Sequence, residues 1–223
     1  TMDASEGADG LVATEDIKSL DDLAGLTTFE LTSAEKWEVA PSILQEKYSL
    51  LDALVVGGLG ITLLNNVDTV EIACLAQLIN VIAPITTIRN GGIFKQTIYH
   101  PFHMLSKYGH GVTMKAVVDA ETYKCQFGDL PIVEPAVVYN EETDEVRVFV
   151  LNCSQDEDTE FEMELQGYGD KKVKKHLVLN GDDLEARNTF EDPDNVVMKE
   201  LEAPADGTKV VLPKMSWNIV IYG

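Results

Sequence analysis

Leu50 to Pro84, LLDALVVGGLGITLLNNVDTVEIACLAQLINVIAP, constrains this chain more than any other stretch, because a run so apolar has to be covered on almost every side. Ser49, followed three residues later by Asp52, has the pattern of a capping box: a hydroxyl for the free amides and an acid at the positive end of a helix. A helix is therefore expected from Leu50 to Leu64. Within it Gly57, Gly58 and Gly60 remove side chains where a neighbouring backbone approaches closely. The run falls short of the roughly 20 apolar residues that cross a bilayer, and Asp52 interrupts it, so it reads as buried packing and not as a membrane span.

After an exit at Asn65 and Asn66, Thr69 to Leu75 is β-branched and apolar without the alternation of a half-wet strand. A parallel strand covered on both faces has this look. A buried helix feeding such a strand is one αβ unit of an α/β sheet or barrel, whose chemistry sits at the carboxyl ends of strands, here near Ala76, Gln77 and Asn80. The runs DALVVGGLGITLL, IACLAQLINVIAPI, KQTIYHPF from Lys95 to Phe102 and LPKMSWN from Leu212 to Asn218 resemble, in the same order, the C-terminal part of the glycoside hydrolase family 51 α-L-arabinofuranosidases. These are retaining enzymes built as a TIM-type (β/α)8 barrel followed by a β-sandwich. The resemblance implies an α/β plus all-β chain. Residues 1–110 would be the end of the barrel (a loop, helix seven, strand eight and helix eight), and 111–223 an antiparallel, jelly-roll-like sandwich.

Charge narrows the partners. With 38 acidic against 17 basic residues the formal charge is −21, which argues against a reader of nucleic-acid phosphates and for a well-solvated, self-repelling surface. Three cysteines at unrelated spacings do not form a disulfide framework, and Cys74, inside the expected strand, reads as a small core hydrophobe. Neither a leader peptide nor a span is visible, so a cytoplasmic protein is expected, with no membrane partner.

Thr1 to Glu35 reads as an acidic surface loop with one short helix around Ile17 to Leu23, and Lys36 to Ser49 as the approach to the seventh barrel helix. Trp37 is either close to the mouth of the site, as the resemblance implies, or a hydrophobic anchor. A retaining glycosidase needs a nucleophilic and an acid/base carboxylate about 5 Å apart; the family carries them at the ends of strands seven and four, upstream of Thr1. The acids present are poor replacements. Glu71 is at the amino end of its strand, and Glu141 and Glu142 sit in a hairpin turn. No catalytic residue is therefore assigned to this chain.

Gln77 matches the family's strand-eight glutamine, which hydrogen-bonds arabinofuranose hydroxyls. An amide offers a donor and an acceptor with no charge to desolvate; the alternative is an amide capping the strand end. Asn80 is read as holding the turn before Pro84. The TTIRNGGI loop has turn chemistry, with Arg89 meeting either the leaving sugar or water, and the family often carries Trp where Phe94 stands. Phe94 to Tyr108 is expected to form helix eight, kinked or restarted at Pro101. His100 and His103 lie on one helical face, but no third ligand is near, so packing is preferred to a metal site. No cofactor is expected.

Beyond residue 111, Ala136–Asn140 with Val146–Leu151 form a hairpin signal, and Glu160–Leu165 alternates as a half-wet strand. Val173–Leu179, Lys209–Leu212 and Trp217–Tyr222 add strands, with Trp217, Ile219 and Ile221 facing inward. Trp217 thus reads as core and not as a sugar platform. The resemblance implies that the parent protein removes terminal non-reducing α-L-arabinofuranosyl units from arabinan or arabinoxylan oligosaccharides. This chain would lend a pocket wall through Gln77 and dock on the rest of its own barrel, in a homo-oligomer as is common in the family. The alternative is a non-catalytic carbohydrate-binding or oligomerisation module.

Overall fold

The computed structural model describes residues 46–88, 90–204 and 207–223. The expected helix at Ile17–Leu23, Trp37 and Arg89 lie outside the described residues. Helix α1, Leu50–Asn65, begins where the capping box places it: Ser49 accepts from the Asp52 amide, and Asp52 accepts from Ser49 N at 2.7 Å. The next free amides, Leu50 N and Leu51 N, are satisfied by the carbonyls of Ala186 and Leu184, at 2.8 and 2.9 Å. A hairpin follows, β1 (Ile85–Thr87) with β2 (Ile93–Lys95), and then α2, Tyr99–Tyr108.

The remaining strands are β3 (Val112–Met114), β4 (Thr122–Cys125), β5 (Gly128–Pro131), β6 (Val133–Asn140), β7 (Glu145–Asn152), β8 (Thr159–Glu162), β9 (Val173–Leu179), β10 (Lys199–Leu201), β11 (Lys209–Leu212) and β12 (Ser216–Tyr222). Six of them make an antiparallel sheet in the order β10-β9-β12-β7-β6-β3, while β8 pairs with β11 and β4 with β5. The six-stranded sheet is a middle layer. On one face Ala136, Val138, Phe149, Leu179, Trp217 and Ile219 pack with Leu50, Ala53, Leu54 and Ile61 of α1. On the other, Val137, Val148, Val150, Val220 and Tyr222 pack with Val210 and Leu212 of β11. Every residue of β12 is therefore buried, a wider burial than the inward row Trp217, Ile219 and Ile221 alone. β8 keeps Glu160 and Glu162 exposed as its alternation requires, but it ends at Glu162, ahead of the turn where Gly167 takes φ 86°.

The glycines of α1 make room for neighbouring side chains, and not for the close backbone approach expected. A Cβ on Gly57 would stand 2.5 Å from Trp217 Cδ1, one on Gly58 3.1 Å from Leu151 Cδ2, and one on Gly60 2.1 Å from Leu105 Cδ1. They seat α1 against β12, β7 and α2. Its opposite face is bare: Leu51, Val55, Leu59 and Leu63, four apart, are 39%, 54%, 60% and 39% exposed. The expectation of cover on most sides is corrected to full burial on one face, since these four side chains stay exposed.

Further expectations are corrected. Thr69–Leu75 is not a strand; Glu71 to Cys74 are exposed, and the nearest pairing is an isolated parallel bridge between Ile79 and Ile85. An interior parallel strand takes its ladder from neighbours on both edges, and among the described residues none lies beside this segment. Cys74 is accordingly exposed and not a core hydrophobe, and all three cysteines are free. The (β/α)8 barrel itself is not in these residues. Helix eight is also shorter than expected: Ile93–Lys95 pairs with Ile85–Thr87, and α2 starts at Tyr99. Pro101 causes no kink, because it occupies the first turn, where amides lack an intrahelical acceptor.

Candidate functional site

The turn after the unpaired segment is conformationally costly. Gln77, Asn80 and Val81 have φ of 54°, 60° and 63°, the left-handed region that non-glycine residues avoid, β-branched valine most of all. Asn80 holds the turn as expected: its amide donates to Ile85 O at 2.8 Å, its Oδ1 accepts from Thr87 N at 2.7 Å and its Nδ2 donates to Thr87 Oγ1 at 3.0 Å.

Four successive carbonyls beyond it are each met by a donor from elsewhere in the chain. Val81 O accepts from Glu46 N at 2.8 Å, and Ile82 O from the Tyr48 hydroxyl at 2.9 Å. Ala83 O accepts from Gln96 Nε2 at 3.3 Å, and Pro84 O from Gln96 N at 2.8 Å. The Gln96 side chain, 4% exposed, also donates to Glu46 O at 2.9 Å and accepts from Tyr48 N at 3.1 Å. Tyr48 and Gln96 were missed from sequence. Gln96 lies inside KQTIYHPF, yet its partners are 13 to 50 residues away and no local pattern announces them.

Gln77 itself is exposed at the head of this turn. Phe94 is buried against Phe190, ring centroids 4.7 Å apart, so it faces the core. Glu71 is exposed in the unpaired segment, and Glu141 and Glu142 are exposed at the β6–β7 turn, which Asn140 Oδ1 ties by accepting from Thr143 N at 2.9 Å. Trp217 is fully buried. LPKMSWN also serves the core: Asn218 Nδ2 donates to Ser216 Oγ at 2.8 Å, and the Ser216 hydroxyl turns back to the Pro213 carbonyl.

His100 and His103 are separated in role. His103 is exposed and stacks on Tyr99, while His100 is 8% exposed with its Nε2 unpartnered. Burial, with Lys95 adding to it, lowers the His100 pKa from 6.5 to about 4. The unfolded chain takes up this proton near pH 6.5 and the folded chain only near 4. The contribution is thus complete above the unfolded value and is lost as pH falls toward 4. By about pH 5 the loss should reach roughly 2 kcal/mol. Urea unfolding across that interval is expected to fall more steeply for the wild type than for His100→Gln; equal slopes would show that His100 titrates normally in the fold.

A family model described as the Alpha-L-arabinofuranosidase C-terminal domain matches residues 27–216. An intracellular exo-alpha-(1→5)-L-arabinofuranosidase of Acetivibrio thermocellus is 39% identical over 194 residues, 85% of this chain and 38% of its own length. An exo-alpha-(1→6)-L-arabinofuranosidase of Bifidobacterium longum is also 39% identical, over 82% of this chain and 36% of its own. Among solved structures, a family 51 alpha-L-arabinofuranosidase from Bifidobacterium longum superposes with a TM-score of 0.76 at 30% identity, covering 85% of this chain and 38% of that one. A thermostable relative from Thermotoga petrophila shares the fold, with a TM-score of 0.71 at 24% identity over 83% of this chain and 40% of its own. The chain thus spans a little over a third of the length of these four relatives.

Proposed function

Because the chain belongs to the α-L-arabinofuranosidase C-terminal domain family, as the C-terminal portion of a glycoside hydrolase family 51 enzyme, we propose that it completes a retaining, exo-acting α-L-arabinofuranosidase. The observation that carries this reading is the exposed apolar stripe of α1, which leads into a segment, Thr69 to Gln77, that joins no strand and is exposed at all but Val70 and Leu75. An αβ unit stripped of its neighbours leaves such a stripe and such a segment. In this reading residues 1–110 finish the TIM barrel, with Val70 to Gln77 as its closing strand, and 111–223 form the accessory sandwich.

The catalytic glutamates come from sequence upstream of the matched region. Gln77, at the carboxyl end of the closing strand, donates and accepts hydrogen bonds with the hydroxyls of a terminal arabinofuranosyl unit. The substrates are arabinan or arabinoxylan oligosaccharides. The equal 39% identity to a (1→5)- and a (1→6)-acting relative supports the sugar and not one linkage. The relatives named intracellular support a cytoplasmic location, and no described helix is long and apolar enough to cross a membrane. Homo-oligomerisation follows from the family resemblance alone.

The test is a chimera in which this chain replaces the matching C-terminal portion of the Acetivibrio thermocellus relative, assayed on an aryl α-L-arabinofuranoside. The chimera should release the aglycone, and Gln77→Ala should lower kcat/KM by an amount equivalent to roughly 1–3 kcal/mol of transition-state stabilisation, the cost of a lost substrate hydrogen bond. A folded chimera that is inactive counts against the reading, and an active one indifferent to Gln77→Ala counts against the role of the glutamine.

A further inference from the structure

We infer that Tyr48 and Gln96 are positioning residues for the sugar pocket, acting by clamping the strained turn that carries Gln77; this rests on the reading of Gln77 given above. The turn places a glutamine, an asparagine and a valine in the left-handed region within five residues. Each such residue relaxes to an ordinary conformation unless its surroundings over-determine it. At Asn80 and Val81 they do, because Asn80 is bonded to Ile85 and Thr87 and the carbonyls of Val81, Ile82, Ala83 and Pro84 are all held by donors from Glu46, Tyr48 and Gln96.

The donors come from two places that α1 and the hairpin bring together: the segment entering α1 and the segment between β2 and α2. Gln96 joins them directly, since one buried amide bonds Glu46 O, Tyr48 N and Ala83 O. Thr97 adds a further tie, donating from Oγ1 to Ser49 O at 2.6 Å. The α1 entry, the turn and the α2 entry therefore move as one block, and Gln77 leaves that block four residues before its first clamped carbonyl. Burial, with Glu46 and Asp52 nearby, raises the Tyr48 pKa above the ordinary phenol value, so its hydroxyl remains a donor across the neutral range. Asn80 fixes the turn locally against Thr87; Tyr48 and Gln96 fix it relative to the helix that packs on the sandwich.

A double-mutant cycle in the chimera separates positioning from bulk stability. Gln96→Ala removes the partner of three backbone groups at once and is the more disruptive change, so Tyr48→Phe, which deletes one hydroxyl and keeps the ring, is the informative variant. Tyr48→Phe alone is expected to lower kcat/KM on the aryl arabinofuranoside by about 3- to 10-fold. In the Gln77→Ala background it should have almost no further effect on kcat/KM, while shifting the melting temperature equally in both backgrounds. The same kcat/KM factor in both backgrounds, or no loss from Tyr48→Phe alone, would overturn the clamp's role while leaving Gln77 in place. A Gln77→Ala chimera with undiminished activity would instead overturn the reading of Gln77 and the clamp with it.

Discussion

Trp217→Ala is expected to lower the unfolding free energy of this chain by about 3–5 kcal/mol, measured by urea denaturation. The indole is fully buried in the middle of β12, between β7 and β9, and fills the space above the helix at Gly57. Phe149 flanks it with ring centroids 6.0 Å apart. Truncation leaves a cavity that none of these neighbours can close: Phe149 is fixed on a paired strand, and α1 is pinned at its amino end by the capping box and by the Ala186 and Leu184 carbonyls. The indole Nε1 is buried without a partner, so its removal returns part of a desolvation cost and holds the loss within that range. A loss below about 1 kcal/mol would mean that α1 does not seat on the sheet at Trp217.

Substitutions at the paired glycines of α1 should have opposite outcomes. Gly57→Leu is expected to destabilise by about 3 kcal/mol, since even the first side-chain carbon would meet the Trp217 ring at 2.5, 2.7 and 2.8 Å. That ring cannot swing away, because its strand is paired on both edges. Gly58→Ala meets only the tip of the Leu151 side chain, at 3.1 Å, and gains up to about 1 kcal/mol of helix propensity. It is expected to be neutral or mildly stabilising in the same denaturation experiment. Equal destabilisation by the two changes would indicate that the helix tolerates no side chain on that face, irrespective of Trp217.

What could be read from the sequence followed the range over which each signal acts. The start of α1 was legible because Ser49 and Asp52 satisfy each other within four residues. Val173–Leu179 and Lys209–Leu212 were legible because their apolar and β-branched runs end at turn residues, and the structure returns the same limits. Thr69–Leu75 misled for a physical reason. Its composition states which surroundings the segment suits, two faces of cover and two paired edges, and not whether those surroundings are present in these residues. The Ile93–Lys95 strand was hidden because Phe94 and the residues around it also suit a helix, and only pairing with Ile85–Thr87 decides between them. Gln77 could be nominated as a binding residue from the motif around it. Gln96 and Tyr48 could not, because their side chains bond a turn more than ten residues away.

Whether Glu71 to Cys74 belong to the closing strand of a barrel is read by amide hydrogen exchange. In this chain alone these exposed, unpaired amides should exchange at nearly the rate of a free peptide. In the chimera, where a barrel supplies strands on both edges, the same amides should slow by about 100-fold or more. Unchanged fast exchange in a chimera that is folded and active would contradict that placement, because the segment would then complete nothing.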